Sequence, residues 1–374
     1  MMKAFSKPIY ITRPIFPNLK EFTKELKDIW KSQWVSNNGP KHQLFEKKIK
    51  KVLKVPYVSL FNNGTTALLT AIRALKLTGE VITTPFTFPA TPHSLTWNNI
   101  TPVFCDIDPV TMNIDSDKIE SLITPRTSGI LAVHVFGTPC DVVKIQQIAN
   151  KHKIKVIYDA AHAFGTRINN IGIGNFGNIT MFSFHPTKLF HSGEGGALTC
   201  RDQLLKNRVD LLKNFGIKGQ EAVIDIGING KMNELQAALG LTILRYVNEE
   251  RKKRKLLYDA YKQCLKHVQG ITILEHPKHI QNSYQYFVIR IDEKQFGKSR
   301  DYVYEQLKKY NVFVRKYFYP LCSKYSHYKN LPSSKKNNLS VANKVATEVL
   351  SMPFYGRLSV SNIEKICNIL KSFR

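Results

Sequence analysis

Val156-Ile157-Tyr158-Asp159-Ala160-Ala161-His162 is an apolar strand pattern that closes on a carboxylate. In open α/β sheets ligands gather beyond the carboxyl ends of strands, so Asp159 is expected at a binding edge. Outward from this stretch, residues 56–200 alternate strand-like runs with helical patterns. Ile82, Val103, Ile130 to Val135, Ile154 to Tyr158 and Ile179 to Phe184 mark the strands. That alternation is the signature of a parallel sheet with helices on both faces. From Met232 one long helical pattern runs through Leu256-Leu257-Tyr258-Asp259-Ala260-Tyr261. Strand-like runs at Ile271 to Ile273 and Tyr284 to Ile291, with helices near 299–309, 340–350 and 361–372, then predict a smaller α+β unit. The expected division is a large domain over 1–245 and a small C-terminal domain over 246–374. Pro332 to Asn338 is the expected flexible loop.

Downstream of Asp159 stands Ser183-Phe184-His185-Pro186-Thr187-Lys188, just before the glycine-bearing turn Ser192-Gly193-Glu194-Gly195-Gly196. A lysine amine titrates near 10.4 and is a poor nucleophile at neutral pH unless burial or a neighbouring cation lowers it. A lysine that forms a Schiff base and moves protons, with a carboxylate that keeps a pyridine nitrogen protonated, is what pyridoxal phosphate chemistry requires. Taken singly, Lys188 reads as a solvated lysine and Asp159 as a helix cap. Upstream, the strand Tyr57-Val58-Ser59-Leu60-Phe61 leads through Asn62-Asn63-Gly64-Thr65-Thr66 into the helical pattern Ala67 to Leu75. Gly64 permits a tight turn, and the helix start that follows attracts an anion, so this is a candidate phosphate cradle. It carries neither a GxGxxG pattern nor a P-loop lysine, which argues against a dinucleotide or a triphosphate.

The ordered motifs carry a family likeness. Asn63-Gly64-Thr65-Thr66-Ala67-Leu68, Glu80 to Phe88, Pro102 to Asp108, Val133-His134-Val135-Phe136-Gly137, Asp159-Ala160-Ala161-His162, Ser183 to Lys188 and Asn229 to Ala238 follow one another along the chain. In that order they resemble the DegT/DnrJ/EryC1/StrS sugar aminotransferases, from about residue 8 to the C-terminus. The resemblance implies an aspartate-aminotransferase-like α/β fold (fold type I of the pyridoxal phosphate enzymes), with a mostly parallel seven-stranded sheet in the large domain. It implies Lys188 as the Schiff-base lysine and Asp159 as the carboxylate facing the pyridine nitrogen. By the same likeness His162 lies close to the cofactor ring, Phe88 stacks on it, and Gly64, Thr65, Thr66 and Ser183 meet the phosphate. Asn229 matches a residue that reaches the phosphate of a neighbouring subunit, which implies a homodimer with shared active sites. Phe88 could instead be a core aromatic, His162 a buried structural histidine and Ser183 a turn cap. Lys231 stands where members often carry arginine, and lysine cannot form a bidentate fork, so its role is left open.

Related dehydratases carry histidine in place of the lysine, so Lys188 favours transamination. The resemblance implies L-glutamate as amino donor, pyridoxamine phosphate as the intermediate cofactor form, and a nucleotide-linked keto sugar as acceptor. Trp34-Val35-Ser36-Asn37-Asn38-Gly39-Pro40, Phe61-Asn62-Asn63-Gly64 and Ile157 to Gly165 look most like enzymes that aminate dTDP-4-keto-6-deoxy-D-glucose at C4 for surface polysaccharides such as O-antigen. Asn38 in the first stretch, and Arg315 and Tyr317 in Arg315-Lys316-Tyr317-Phe318-Tyr319-Pro320, are candidate contacts to the dTDP sugar, the latter segment reading otherwise as a strand with an aromatic face. The galactose epimer of the product and amination at C3 stay open.

The chain of 374 residues, 43% hydrophobic, is long enough for two cores. Met1 to Tyr10 shows no apolar h-region and no stretch reads as a membrane span, so a cytoplasmic protein is expected. Six cysteines without a CxxC pair fit reduced thiols better than a disulfide framework or a metal site. The net charge of +27 could serve nucleic acid or an anionic surface. The basic runs Lys47-Lys48-Ile49-Lys50-Lys51 and Arg251 to Lys255 lie on helical patterns with an apolar opposite face, and no zinc-finger spacing or RNP motif accompanies them. Solvated helix faces, with no nucleic acid and no membrane as partner, are the expectation; a pyridoxal-fold regulator that binds nucleic acid is the remote alternative.

Overall fold

Seven strands of the computed structural model form the central sheet: Tyr57–Phe61 (β1), Glu80–Thr83 (β2), Thr101–Phe104 (β3), Thr127–Val133 (β4), Lys155–Asp159 (β5), Ile179–Ser183 (β6) and Gly196–Cys200 (β7). The structure describes residues 3–277 and 279–374; Met1 and Met2, with which the N-terminal reading begins, and Lys278 lie outside the described residues. Across the sheet the order is β1-β7-β6-β5-β4-β2-β3. The strands from β6 to β3 are mutually parallel, whereas β7 runs antiparallel to both β6 and β1. Strands β2 and β7 are buried at every position, so they read as unbroken runs without the alternation of a half-exposed strand. Register sets Val133, Asp159 and Met181 side by side at the carboxyl edge.

Helix starts are written locally. Asn63 caps the helix Gly64–Ala74 by accepting the Thr66 N–H (2.8 Å), and Asp141 caps Val142–Lys151 through the Lys144 N–H (3.0 Å). Asn233 and Gln236 form a reciprocal capping box on Glu234–Leu244. Here the expected single long helix is corrected: Glu234–Leu244 and Val247–Leu265 are separate, divided at Arg245 and Tyr246. The first is apolar nearly all round and buries Ala237, Leu241 and Ile243 beside Phe45 and Ile49, whereas the second turns Leu257, Tyr261 and Leu265 into a different core. One straight helix cannot face both cores.

That second core belongs to the sheet Ile271–Ile273 (β8), Phe287–Ile291 (β9) and Val349–Met352 (β10), antiparallel in the order β8-β9-β10. Tyr261 stacks on Phe287 (4.3 Å between centroids), and Ile366 and Leu370 of the helix Val360–Lys371 close the far side. The N-terminal Phe5 and Ile9 pack against the same core, and Ile9 bridges to Val312. The strand expected from Tyr284 begins only at Phe287, which leaves Ser283 to bond the His162 carbonyl and Gln285 to bond the turn around Lys188. The helix expected to reach 350 ends at Glu348, where the chain enters β10. The expected loop at 332–338 is folded into two 3-10 turns, Pro332–Ser334 and Lys336–Leu339, with Ser333 Oγ accepting from the Phe104 N–H (3.0 Å).

Candidate active site

The carboxyl ends of β4, β5 and β6, the start of the helix Gly64–Ala74 and the segments around Lys188, Tyr286 and Tyr317 enclose a cavity of about 500 Å³. Asp159 ends β5 at its floor and is buried (5% exposed). Its Oδ1 accepts from the Ala161 N–H (3.0 Å) and its Oδ2 from Thr91 Oγ1 (2.9 Å), which itself contacts Thr87 Oγ1 (2.9 Å). Burial raises the Asp159 carboxyl above its ordinary range, against the pull of these donors and of Lys188. Burial also lowers the Lys188 amine, to about 8, with the Asp159 charge acting in the opposite direction. An amine titrating there has a usable neutral fraction near physiological pH, the form that attacks a carbonyl.

His162 forms one wall. Its Nδ1 accepts from the Phe136 N–H (3.2 Å), so Nε2 carries the ring proton of the neutral form. Burial holds its pKa well below the ordinary histidine value, with the Lys188 charge pushing the same way. The ring lies parallel to those of Phe136 (6.3 Å, 7°) and Phe318 (6.0 Å, 3°) and receives the edge of Tyr286 (5.0 Å, 81°). A neutral flat wall of this kind suits a flat ring lying against it.

At the opposite end, a Cβ added to Gly64 would sit 3.1 Å from Ser183 Cβ and 3.3 Å from Met181 Sδ. A side chain at position 64 would crowd the end of β6. Asn63 occupies the Thr66 N–H, and the first-turn amides without an intrahelical partner point into the cradle that Thr65, Thr66 and Ser183 line. These residues fit pyridoxal phosphate: an anion cradle at one end, a buried carboxylate with one amine as its charged neighbour at the other, and an aromatic wall between. Among the described residues no group of three or more His, Cys, Asp or Glu could hold a metal ion.

Lys188, Asp159, His162, Gly64, Thr65, Thr66, Phe88, Ser183 and Tyr317 thus share one cavity. Asn229, Arg315 and Asn38 do not line it. Asn229 is exposed, with its carbonyl accepting from Asn62 Nδ2 (3.3 Å). Arg315 is exposed and pairs through its backbone with Ser351 (3.1 and 2.8 Å). Asn38 is exposed, and its carbonyl accepts from Gln43 Nε2 (2.8 Å). Lys231 donates to Asn214 Oδ1 (2.7 Å) and lies over the Phe215 ring (4.8 Å), away from the cradle of its own chain. Sequence reasoning missed Thr91, Tyr286 and Phe318. Thr91 lies just past Phe88, and only the three-dimensional contact with Asp159 singles it out; Tyr286 and Phe318 come from aromatic-rich runs with nothing local to mark which ring faces the cavity.

The family model described as the DegT/DnrJ/EryC1/StrS aminotransferase family matches residues 18–371. A dTDP-4-amino-4,6-dideoxy-D-glucose transaminase of Escherichia coli is 47% identical over 97% of this chain and 98% of its own length. One of the same description from Shigella dysenteriae is 43% identical over 98% of this chain and 100% of its own. Among solved structures, that of DesI in the presence of its TDP-sugar product has a TM-score of 0.95 at 35% identity, covering 99% of this chain and 94% of that one.

Proposed function

Because the chain belongs to the DegT/DnrJ/EryC1/StrS aminotransferase family, we propose that it transfers an amino group from L-glutamate to C4 of dTDP-4-keto-6-deoxy-D-glucose. The product is dTDP-4-amino-4,6-dideoxy-D-glucose, a precursor for surface polysaccharide. The observation that carries this choice of sugar is the 47% identity, across 97% of the chain, to the Escherichia coli transaminase of that product. The cofactor of this aminotransferase is pyridoxal phosphate. When bound, it supplies an aldehyde that exchanges with amines and a ring that draws electrons from the carbon bearing the nitrogen.

The protein's own groups have distinct tasks. Lys188 Nζ, held near neutrality by burial, accepts a proton from the carbon bearing the nitrogen and returns it on the other side of the transfer. Asp159, anchored by Thr91 and the Ala161 N–H, would ionise facing a protonated ring nitrogen and so keep the proton there. His162 and Phe88 would hold the ring, and the Gly64 to Thr66 helix start with Ser183 would hold the phosphate; all of them line the cavity. Tyr317 lines the same cavity and would meet the sugar, with Phe318 buried against the His162 wall.

The working form is a homodimer in which Asn229 completes the partner's cradle. In support, Phe215, Val223, Ile224 and Ile226, on the segment that leads to Asn229, are exposed apolar side chains. The reading places the enzyme in the cytoplasm, in keeping with six free cysteines, five of them buried. NMR of the product formed from dTDP-4-keto-6-deoxy-D-glucose, L-glutamate and pyridoxal phosphate tests the whole reading. An equatorial amine at C4 is expected; an axial amine would assign the galactose epimer, and no amine from cofactor-loaded protein would reject this sugar.

A further inference from the structure

Lys188 sits in a turn rather than in a helix or strand: its N–H donates to the His185 carbonyl (2.9 Å), and the chain then bends towards Leu189 and Phe190, which are buried. A lysine side chain on such a turn has four rotatable bonds and a backbone free to tilt. Its amine can be held against Asp159 only if the two peptide groups beside it are fixed. The residue that fixes them comes from the C-terminal half. Gln285 Nε2 donates to the Thr187 carbonyl (2.9 Å), and Gln285 Oε1 accepts from the Leu189 N–H (2.5 Å). One carboxamide therefore spans Lys188 from the residue before it to the residue after it, as a neighbouring strand would.

Gln285 is itself buried (3% exposed) and braced. Its carbonyl and that of Tyr284 accept from Arg254 Nη1 (3.3 and 3.4 Å), and the Arg254 Nε donates to Glu250 (2.7 Å) within the helix Val247–Leu265. The flanking residues grip the other side of the cavity. Ser283 Oγ donates to the His162 carbonyl (2.9 Å), and the Tyr286 ring meets the His162 ring edge-on (5.0 Å, 81°). A run of four residues, 283–286, thus holds the lysine turn and the histidine wall in fixed relation, from a segment that leads directly into β9 of the smaller core.

We propose that Gln285 is a positioning residue for Lys188, setting the depth and direction of its amine relative to Asp159 and so tying the reactivity of that amine to the seating of the C-terminal half. The proposal rests on Lys188 being the reactive amine. It separates two roles that buried glutamine could have. A purely structural Gln285 would change melting temperature alone, whereas a positioning one changes how the amine behaves in protein that remains folded. The reason is that a buried amine owes its lowered pKa to its depth, and a turn that swings outward returns it towards water.

The test compares wild type with Gln285→Met, which keeps the volume and loses both hydrogen bonds, and Gln285→Glu, which keeps an oxygen to accept from the Leu189 N–H. Cofactor-free protein is mixed with pyridoxal phosphate, reduced with borohydride across a pH series, and the labelled lysine located by peptide mapping. In parallel, the pH midpoint of the absorbance band of the cofactor-loaded protein is titrated. For Gln285→Met, capture of Lys188 at pH 7 is expected to slow about tenfold for each unit by which the midpoint of capture against pH rises, and the absorbance midpoint to shift as well. Its kcat is expected to fall by about 10²-fold with little change in either KM, and Gln285→Glu to fall between. Should Gln285→Met not fold, the comparison passes to Gln285→Glu. Unchanged capture, absorbance midpoint and kcat in folded variants would overturn the proposal. A wild type labelled at some lysine other than Lys188 would sink the underlying reading instead, and so is distinguishable.

Discussion

A single amine pushed down to about 8 inside a cavity has a cost that the fold must carry when no cofactor is present. The unfolded chain keeps Lys188 protonated up to about 10.4, while the folded chain sheds the proton near 8. Between those values the unfolded state binds more protons, so stability rises with pH across that window, and the penalty is complete below it. Lys188→Met is therefore expected to melt higher than wild type in cofactor-free protein at pH 7, by up to about 3 kcal/mol. The gap should close as calorimetry is repeated from pH 8 to pH 10. The same substitution, like Lys188→Ala, should abolish the visible-edge absorbance and all amino transfer. Asp159→Asn keeps the shape of the floor but cannot hold a proton on a ring nitrogen; its kcat is expected to fall at least about 10²-fold, with the protein still folded by circular dichroism. At this scale much was legible, because Asp159 and the Gly64 turn are each announced by the strand that ends on them. Thr91 and Gln285 were not. Their roles arise from contacts with Asp159 and with the turn around Lys188 that no spacing in the sequence reports.

Elements were legible where one face or one cap writes them. The five parallel strands stand out as apolar runs, and Asn63 announces the helix that the pattern Ala67 to Leu75 marks after β1. Strand β7 was not anticipated, since Gly196-Ala197-Leu198-Thr199-Cys200 has small residues and no alternation; it is a strand because β1 and β6 clamp it on both sides. The break at Arg245 was hidden for a related reason. Both helices are good helix formers, and only the two cores they face separate them. Glu234, at the first of these helices, offers a test. Its carboxylate, 2% exposed, accepts the N–H groups of Lys41 (2.8 Å) and His42 (2.7 Å) and so caps the helix Pro40–Leu53 in place of the glycine that precedes it. Glu234→Gln leaves one of those donors facing an amide NH2. The expected loss is about 1–3 kcal/mol in urea unfolding, with the absorbance of cofactor-loaded protein retained.

For the whole molecule, charge and exposed apolar surface pull in different directions. The +27 balance keeps chains apart at low salt, yet Trp97 (79% exposed), Val223 (71%) and Ile226 (77%) are left at the surface. A partner copy covering the last two would bring Asn229 to the neighbouring cradle. Ile226→Asp is accordingly expected to sediment as a monomer and to lose phosphate affinity together with activity. A monomer retaining full activity would refute sharing. Among the described residues no helix is long and apolar enough to cross a membrane. One further consequence follows from β7 lying between β1 and β6. Asn63 and Gly64 meet Gly196 so closely that a Cβ there would come within 2.7 Å of the Asn63 carbonyl. The first strand made on the ribosome must therefore wait, unpaired on that side, until residues 196–200 emerge and slot in beside it. Sequence-distant pairing of this kind slows folding and leaves an open edge in the meantime. A nascent chain arrested before Gly196 should consequently be held by chaperones and fail to retain pyridoxal phosphate.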